Sequence, residues 1–570
     1  MRDLSCSWWR GKKAGGPARR LLKDSTAGRG PGTYYLSNPV YPSSLTVLAL
    51  TMLKPPSVVP ATELDRKIFD ATIPPDHYLR RVKQAVDFEG CRDLLAAVYH
   101  ASLGRPALEP VLLLRLEFLQ YHYNLSDREV VEQAQYNMAF RFFLDLSLDS
   151  PLPHHTVLTY FRQRLGPTKH QEVFDALVAQ ARAQGLVKDR LRLKDATHIL
   201  ANIAIPSTIQ LVAQIRERLL QAARAHAPEH VAEEERHALH IRQTTTDLSG
   251  EERLLQRVTH LRSIVTWADE LVRQAPAAVD AELTDALGLA HQVLADREPT
   301  TTKEKKDRLI SIHDPEARVS RHGDWYKGYL LDAVMDADSE LLTALDVQAA
   351  NADEAGNAAP LIRHEETAHH NDIQSLSLDG VAFRGDVLQE LTDPNGLALE
   401  VFVPPSPVTV TEQFPPSAFT LNADGTALTC PAGQTTMQRQ RHHDGNSWEF
   451  NFDWATCEGC ALRPQCTKKL SRRSGRTVSK NDYDALYQAA RAKAQTAEYA
   501  QARRQHRRIE RKLADLVRWH GARRARYRGR AKVRMQVLLT GMVVNIKRWV
   551  RLVAGREEIV RAGSAPSLPT

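Results

Sequence analysis

The chain has 570 residues, more than one ordinary hydrophobic core organises, so about three or four domains are expected. A hydrophobic content of 42% excludes a wholly disordered polypeptide, and no apolar run reaches the roughly 18 residues that a membrane-spanning helix needs. The net charge of +8 and pI near 9.1 favour a polyanionic partner.

Residues 1–51 are rich in Gly, Arg and Ser without a period, and a disordered basic leader is expected over 1–60. Within it, LTVLALTML (45–53) has the look of a short signal core. Pro55 and Pro56 follow it in place of a small-residue cleavage site, so the chain reads as cytoplasmic. Met52 opens a better-behaved stretch and is a candidate start.

Residues 61–180 read as an N-terminal helical domain. VLLLRLEFLQYHY (111–123) is apolar nearly all round. Ser126 and Glu129 form a capping box, the hydroxyl covering a free backbone N–H while the Glu side chain reaches back. After Pro151 and Pro153, HHTVLTYFRQRLG opens another helix near Thr156. Short helices about such a turn are expected either to read DNA or to pack as a helical or dimerisation domain.

At 190–200 the period changes to two. Leu191, Leu193, Asp195, Thr197 and Ile199 share one face, which predicts a half-buried strand with Asp195 pointing inward. A carboxylate there is costly unless it is paired or bound to metal. Residues 205–305 are helical and charged, and read as an insertion that interrupts a sheet. Two strands, at 326–334 and 340–347, flank the turn Asp336-Ala-Asp338-Ser339. A short strand through Leu376 and Leu378 ends at Asp379-Gly380, and FRGDVLQEL starts a helix. Asp379 therefore falls at the carboxyl end of a strand, where open α/β sheets carry their sites. LEVFVPP (399–405) is a further strand, followed by a cysteine-bearing segment, a helix at about 482–518 and another at about 530–552.

Cys6 and Cys91 stand alone. Cys430, Cys457, Cys460 and Cys466 are spaced C-x26-C-x2-C-x5-C, which predicts a four-thiolate zinc knuckle over 406–475. His442 or His443 is an alternative fourth ligand. Such a closed site serves shape, not catalysis.

Residues 501–534 hold fourteen Lys and Arg against two acids, Glu510 and Asp515. A basic run around a candidate metal-binding acid points to phosphate binding. The expected phosphate contacts are Arg503, Arg507, Arg508, Arg511, Lys512, Arg518, Arg523, Arg524, Arg526 and Arg528.

A strand Asp, a hairpin, a strand-end Asp and a helix Glu follow the order of a ribonuclease-H-like nuclease core. From about residue 60 to 553 the chain resembles bacterial insertion-sequence transposases of the DDE type, in the branch with an inserted helical region and a late cysteine cluster. The resemblance rests on GRPALEPVLLLRLEFLQ, SDREVVEQAQYNMAFRFFLDL, DATH (195–198), SIHDPEARV (311–319), YKGYLLDAV (326–334) and LDGVAFRGD (378–386). C-x2-C-x5-C, IERKLADLVRWHGARRARYRG and NIKRW complete it.

The resemblance implies an α/β fold: a ribonuclease-H-like core over 181–405 and 476–553, with a disordered tail at 554–570. It implies Asp195, Asp379 and Glu510 as catalytic ligands of Mg²⁺ (or Mn²⁺), with structural Zn²⁺ on the four thiols. It also implies double-stranded DNA as partner, both terminal inverted repeats and target, and a homodimer or larger assembly on it. Many relatives carry a Tyr seven residues and an Arg four residues before the final Glu, and a Lys seven residues after it. Arg503, His506 and Val517 stand there, with Arg518 next to the last. A non-catalytic DNA-binding relative is the alternative reading.

Overall fold

The computed structural model describes residues 58–99, 108–274, 281–297, 307–407, 412–443, 445–467 and 475–563. The leader up to residue 57, with its apolar run, Met52 and Cys6, and the tail from 564 lie outside the described residues. Seven helices open the described chain: α1 (Glu63–Thr72), α2 (Tyr78–Ala85), α3 (Arg92–Ala96), α4 (Pro110–His122), α5 (Asp127–Tyr136), α6 (Met138–Phe143) and α7 (Thr156–Ala183). The Ser126–Glu129 capping box starts α5. At Gly166 (φ +60°) α7 kinks, a left-handed conformation that suits glycine, and Pro167 restarts the helix.

These helices do not close a core of their own, contrary to the separate domain expected at 61–180. One apolar cluster runs from Val58 through α4 and α7 into the central sheet and the C-terminal helices. The reason is α4: it is buried from Pro110 to Tyr121, so it needs cover on every side.

The sheet is built around β1 (Leu191–Leu200). β2 (Arg318–His322) and β4 (Leu342–Ala349) both pair antiparallel with the long β3 (Asp324–Asp336), and β3 pairs antiparallel with β1. On the other side of β1, β5 (Ser375–Ser377) and β6 (Glu400–Phe402) run parallel to it. Between β4 and β5 lies α12 (Ala358–His369), and α13 (Gly385–Thr392) joins β5 to β6. Leu193 and Ile199 are fully buried, as the alternation requires. The opposite face of β1 is covered too. Arg192 and Lys194 are buried there because α12 and β3 bring them carboxylates.

Between β1 and β2 stand α8 (Thr208–Ala223), α9 (Pro228–Thr244), α10 (Gly250–Gln274) and α11 (Ala281–Ala295), which pack a separate apolar cluster. Between β6 and the C-terminal helices lie two small three-stranded sheets; Cys430 follows a strand of the first (Leu428–Thr429), and Cys457, Cys460 and Cys466 lie on or beside two short helices (Trp454–Glu458 and Arg463–Cys466). The single helix expected at about 482–518 is broken into α14 (Asp484–Lys493) and α15 (Ala497–Trp519), because Thr496 turns out of the helix and caps α15. The last helix, α16 (Arg530–Gly563), runs past residue 553, where a disordered tail was expected. No described helix is long and apolar enough to cross a membrane.

Candidate active site

β1 and β5 are parallel neighbours, with Leu193 opposite Ser377. Two residues further along stand Asp195, still within β1, and Asp379, two residues past the end of β5. Asp379 accepts the Val381 N–H (3.2 Å) and caps a turn at Gly380–Ala382. Asp195 accepts the Ala196 N–H (2.8 Å).

Over this face lies α15, whose Ile509, Leu513 and Leu516 pack into the cluster that holds Leu193 and Ile199. Glu510, next to the buried Ile509, is exposed. Burial pushes the Asp195 carboxyl up to about 6, and the charges of Asp379 and Glu510 push the same way. The fold therefore brings the three acids into one electrostatic neighbourhood, although their oxygens do not all lie within 4.8 Å of one another.

The sequence reading missed several neighbours. Lys194 donates to the Glu354 carbonyl (2.7 Å) and pairs with Asp332 (2.7 Å), from the face of β1 opposite Asp195. Glu354 stands in the loop after β4. Burial, helped by Asp379, Asp332 and Asp195 and opposed by Lys194, raises its carboxyl to about 7. Nothing in the sequence singles it out from Asp353 beside it. Arg384 ties that loop to the Asp379 turn, pairing with Asp353 (2.7 Å) and Asp386.

Arg503 and His506, at the two altered positions before Glu510, both turn onto β5. Arg503 donates to the Leu378 carbonyl (2.5 Å) and the Ser377 hydroxyl (3.3 Å). His506 Nδ1 lies 3.1 Å from the same hydroxyl. Together they fix the strand end that carries Asp379.

The ten basic residues expected to touch DNA do not form one surface. Five spend hydrogen bonds on the protein itself. Besides Arg503, they are Arg508 (to the Ala337 carbonyl, 2.6 Å), Arg523 (His198 carbonyl, 2.7 Å), Arg526 (Asn124 amide oxygen, 2.5 Å) and Arg528 (Asn202 carbonyl, 3.3 Å). Lys512 is buried. The reason is packing: the carbonyls of His198, Ala337 and Leu378, at or just past the ends of β1, β3 and β5, take up Arg523, Arg508 and Arg503. Arg507, Arg511, Arg518 and Arg524 are exposed and make no ion pair among the described residues.

Cys430, Cys457, Cys460 and Cys466 line one cavity of about 30 Å³ with Phe419 and Phe452; His442 and His443 do not. The thiol of Cys466 is pushed up, first by burial and then by the other three cysteines, which places all four within electrostatic reach. Cys430 starts a tight turn through Gly433 (φ +80°), and Cys457 and Cys460 flank the turn at Gly459. Cys91 is buried in the main core.

Two family models match the chain. A transposase domain model (DUF772) matches residues 67–164, within α1 to α7. A transposase DDE domain model matches residues 429–550, which takes in the four cysteines, Glu510 and most of α16. Asp195 and Asp379 lie outside both. A protein of Rhizobium meliloti described as "Uncharacterized protein ORF8 in nfe locus" is 28% identical over 174 residues, 29% of this chain and 83% of its own length. No solved structure matches. Transposase models thus match on either side of the sheet strands, and over these two stretches the chain is similar to transposases of the DDE type.

Proposed function

We propose that the chain cleaves DNA at the terminal inverted repeats of an insertion sequence and transfers the 3′ ends into target DNA, with Asp195, Asp379 and Glu510 as its catalytic acids. The carrying observation is the place of Asp195 on β1 and of Asp379 just past the end of its parallel neighbour β5, both strands packed against the helix of Glu510. The strand order supports a ribonuclease-H-like core: β4, β3, β1, β5, β6, with β3 alone antiparallel to both of its long neighbours.

The donor set fits hard divalent ions. Three carboxylates share one electrostatic neighbourhood, one of them half-buried with its pKa raised, and two Mg²⁺ (or Mn²⁺) ions would relieve their repulsion. When bound, such ions activate water or a 3′-hydroxyl and stabilise the leaving oxygen. The residues of the chain do the rest. Arg503 and His506 hold the end of β5 so that Asp379 keeps its place. Arg507, Arg511, Arg518 and Arg524 offer free guanidinium groups to phosphates, which positions DNA without reading its sequence. The four cysteines supply the soft ligands that a structural Zn²⁺ would take, on tight turns around one small cavity, with their sulfurs set wider than the 4.8 Å grouping of a preformed site. Holding two element ends at once calls for a dimer or larger assembly on DNA.

A non-catalytic DNA-binding protein is the second reading, favoured by the inward turn of Arg503 and His506 at positions where relatives carry other residues. The test uses purified protein, Mg²⁺ and labelled duplex DNA carrying the ends that flank the gene, beside Asp195→Ala, Asp379→Ala and Glu510→Ala. Cuts at the ends by the unaltered protein alone are expected. Full cutting by any of the three variants overturns the assignment of the acids, and binding without cuts by every form selects the second reading.

A further inference from the structure

The helical insertion carries a cluster that the chemistry above does not use. On α9, His230, Glu234 and His237 fall at i, i+4 and i+7, which sets all three on one stripe of the helix. From α10, His260 meets them: its Nε2 lies 2.7 Å from Glu234 Oε2. His237 Nδ1 is 3.7 Å from the same oxygen, and His230 Nε2 is 3.7 Å from Oε1. One ligand atom each from Glu234, His237 and His260 lies within 4.8 Å of the others, the only such trio among the described residues.

Hydrogen bonding within the protein leaves this arrangement incomplete. A single imidazole, that of His260, reaches the carboxylate at hydrogen-bond distance. His230 Nε2 is buried with no hydrogen-bond partner, although its ring is held in place against Trp267 (4.2 Å). The rings of His237 and His260 lie 4.4 Å apart, a separation at which two protonated rings would repel. The side chain of His260 is only 1% exposed, so its Nε2 is aimed into the cluster from a fixed position. Neutral imidazoles around one carboxylate are the donor set of a borderline divalent ion.

We propose that the insertion binds one Zn²⁺ ion through Glu234, His237 and His260, with His230 as the nearest further donor. The ion has a structural task. α9 buries only Val231, Ala238 and Ile241, whereas α8 buries seven residues, so α9 is weakly held by apolar contact. A metal shared by α9 and α10 pins it to the insertion core. The inference is independent of the transposase reading.

The test loads the full chain, stripped with a chelator, with Zn²⁺ or Co²⁺ alone and counts bound metal per chain. His237→Ala is the main variant, because His237 is exposed and its loss spares the fold; Glu234→Gln is the second. The unaltered chain should hold one ion more than either variant, or hold that ion at least about tenfold more tightly. That ion should show a Co²⁺ spectrum free of sulfur charge transfer, which separates it from any metal on the cysteines. Equal metal content and affinity in the unaltered chain and both variants overturns the proposal.

Discussion

The central sheet and the helical insertion bury different things. On β1, Arg192 is fully buried among Asp189 (3.1 Å), Asp336 (2.9 Å) and Glu365 (2.7 Å), and Lys194 sits against Asp332. The insertion buries Leu, Ile, Val and Ala from four helices, with Thr245 and His260 its buried polar residues among those described. An apolar core tolerates shifts of its members, whereas a buried ion network is satisfied in one arrangement and costly in others. The region that carries the three proposed acids is the one that adds a buried ion network to its apolar packing.

The sharpest way to break this contrast is Arg192→Met, which strands Asp336 and Glu365 without a cation. A loss of about 3–5 kcal/mol in denaturant unfolding is expected; a loss under about 1 kcal/mol would show that the network does not hold the sheet. Next comes Leu261→Ala, at a fully buried position of the insertion. It should cost about 2–5 kcal/mol, with hydrogen exchange speeding up in α8 to α11 while β1 and β3 keep their protection. Equal loss of protection in the sheet would mean that the two cores unfold as one.

His506 gives an effect that depends on pH. Burial, with Arg503 beside it, pushes the ring down to about 3 from an ordinary 6.5, so the folded protein keeps it neutral. The unfolded chain takes up the proton first. Its contribution to stability is therefore complete above pH 6.5 and is lost as pH falls toward 3, by about 1.4 kcal/mol per pH unit. His506→Gln should flatten that acid limb in unfolding measured across the window. The smallest effect belongs to Arg384→Ala. Its pairs with Asp353 and Asp386 are half-exposed, and their loss should cost about 0.2–1 kcal/mol. Denaturant unfolding would read it; a larger loss would extend the buried ionic frame out to the Glu354 loop.

The strand at 191–200, the hairpin through Asp336 and the strand-end place of Asp379 were legible, because period two and turn chemistry are local signals. The burial of Arg192 and Lys194 was not, since a charged residue reads as exposed until its partner is known, and Glu365 is 173 positions away. For the same reason the basic count around Glu510 was plain, but the carbonyls that take up Arg508, Arg523 and Arg528 were hidden. Glu354 was lost in a polar loop with no pattern. The merging of α1 to α7 with the sheet was hidden because an all-apolar helix such as α4 does not announce what covers it.

The arrangement of the sheet also sets a timetable for synthesis. Asp195 and Glu510 are 315 positions apart, and β1 cannot receive its covering helix until α15 has been made. At about 5–20 residues per second, the ribosome needs roughly 15–60 s to pass from one to the other. During that interval the nascent polypeptide holds Asp195, gains Asp379 partway, and lacks Glu510. A chain released between residues 403 and 509 would contain the N-terminal helices and all of the central strands in its sequence, yet lack both Glu510 and the C-terminal helices that complete their core.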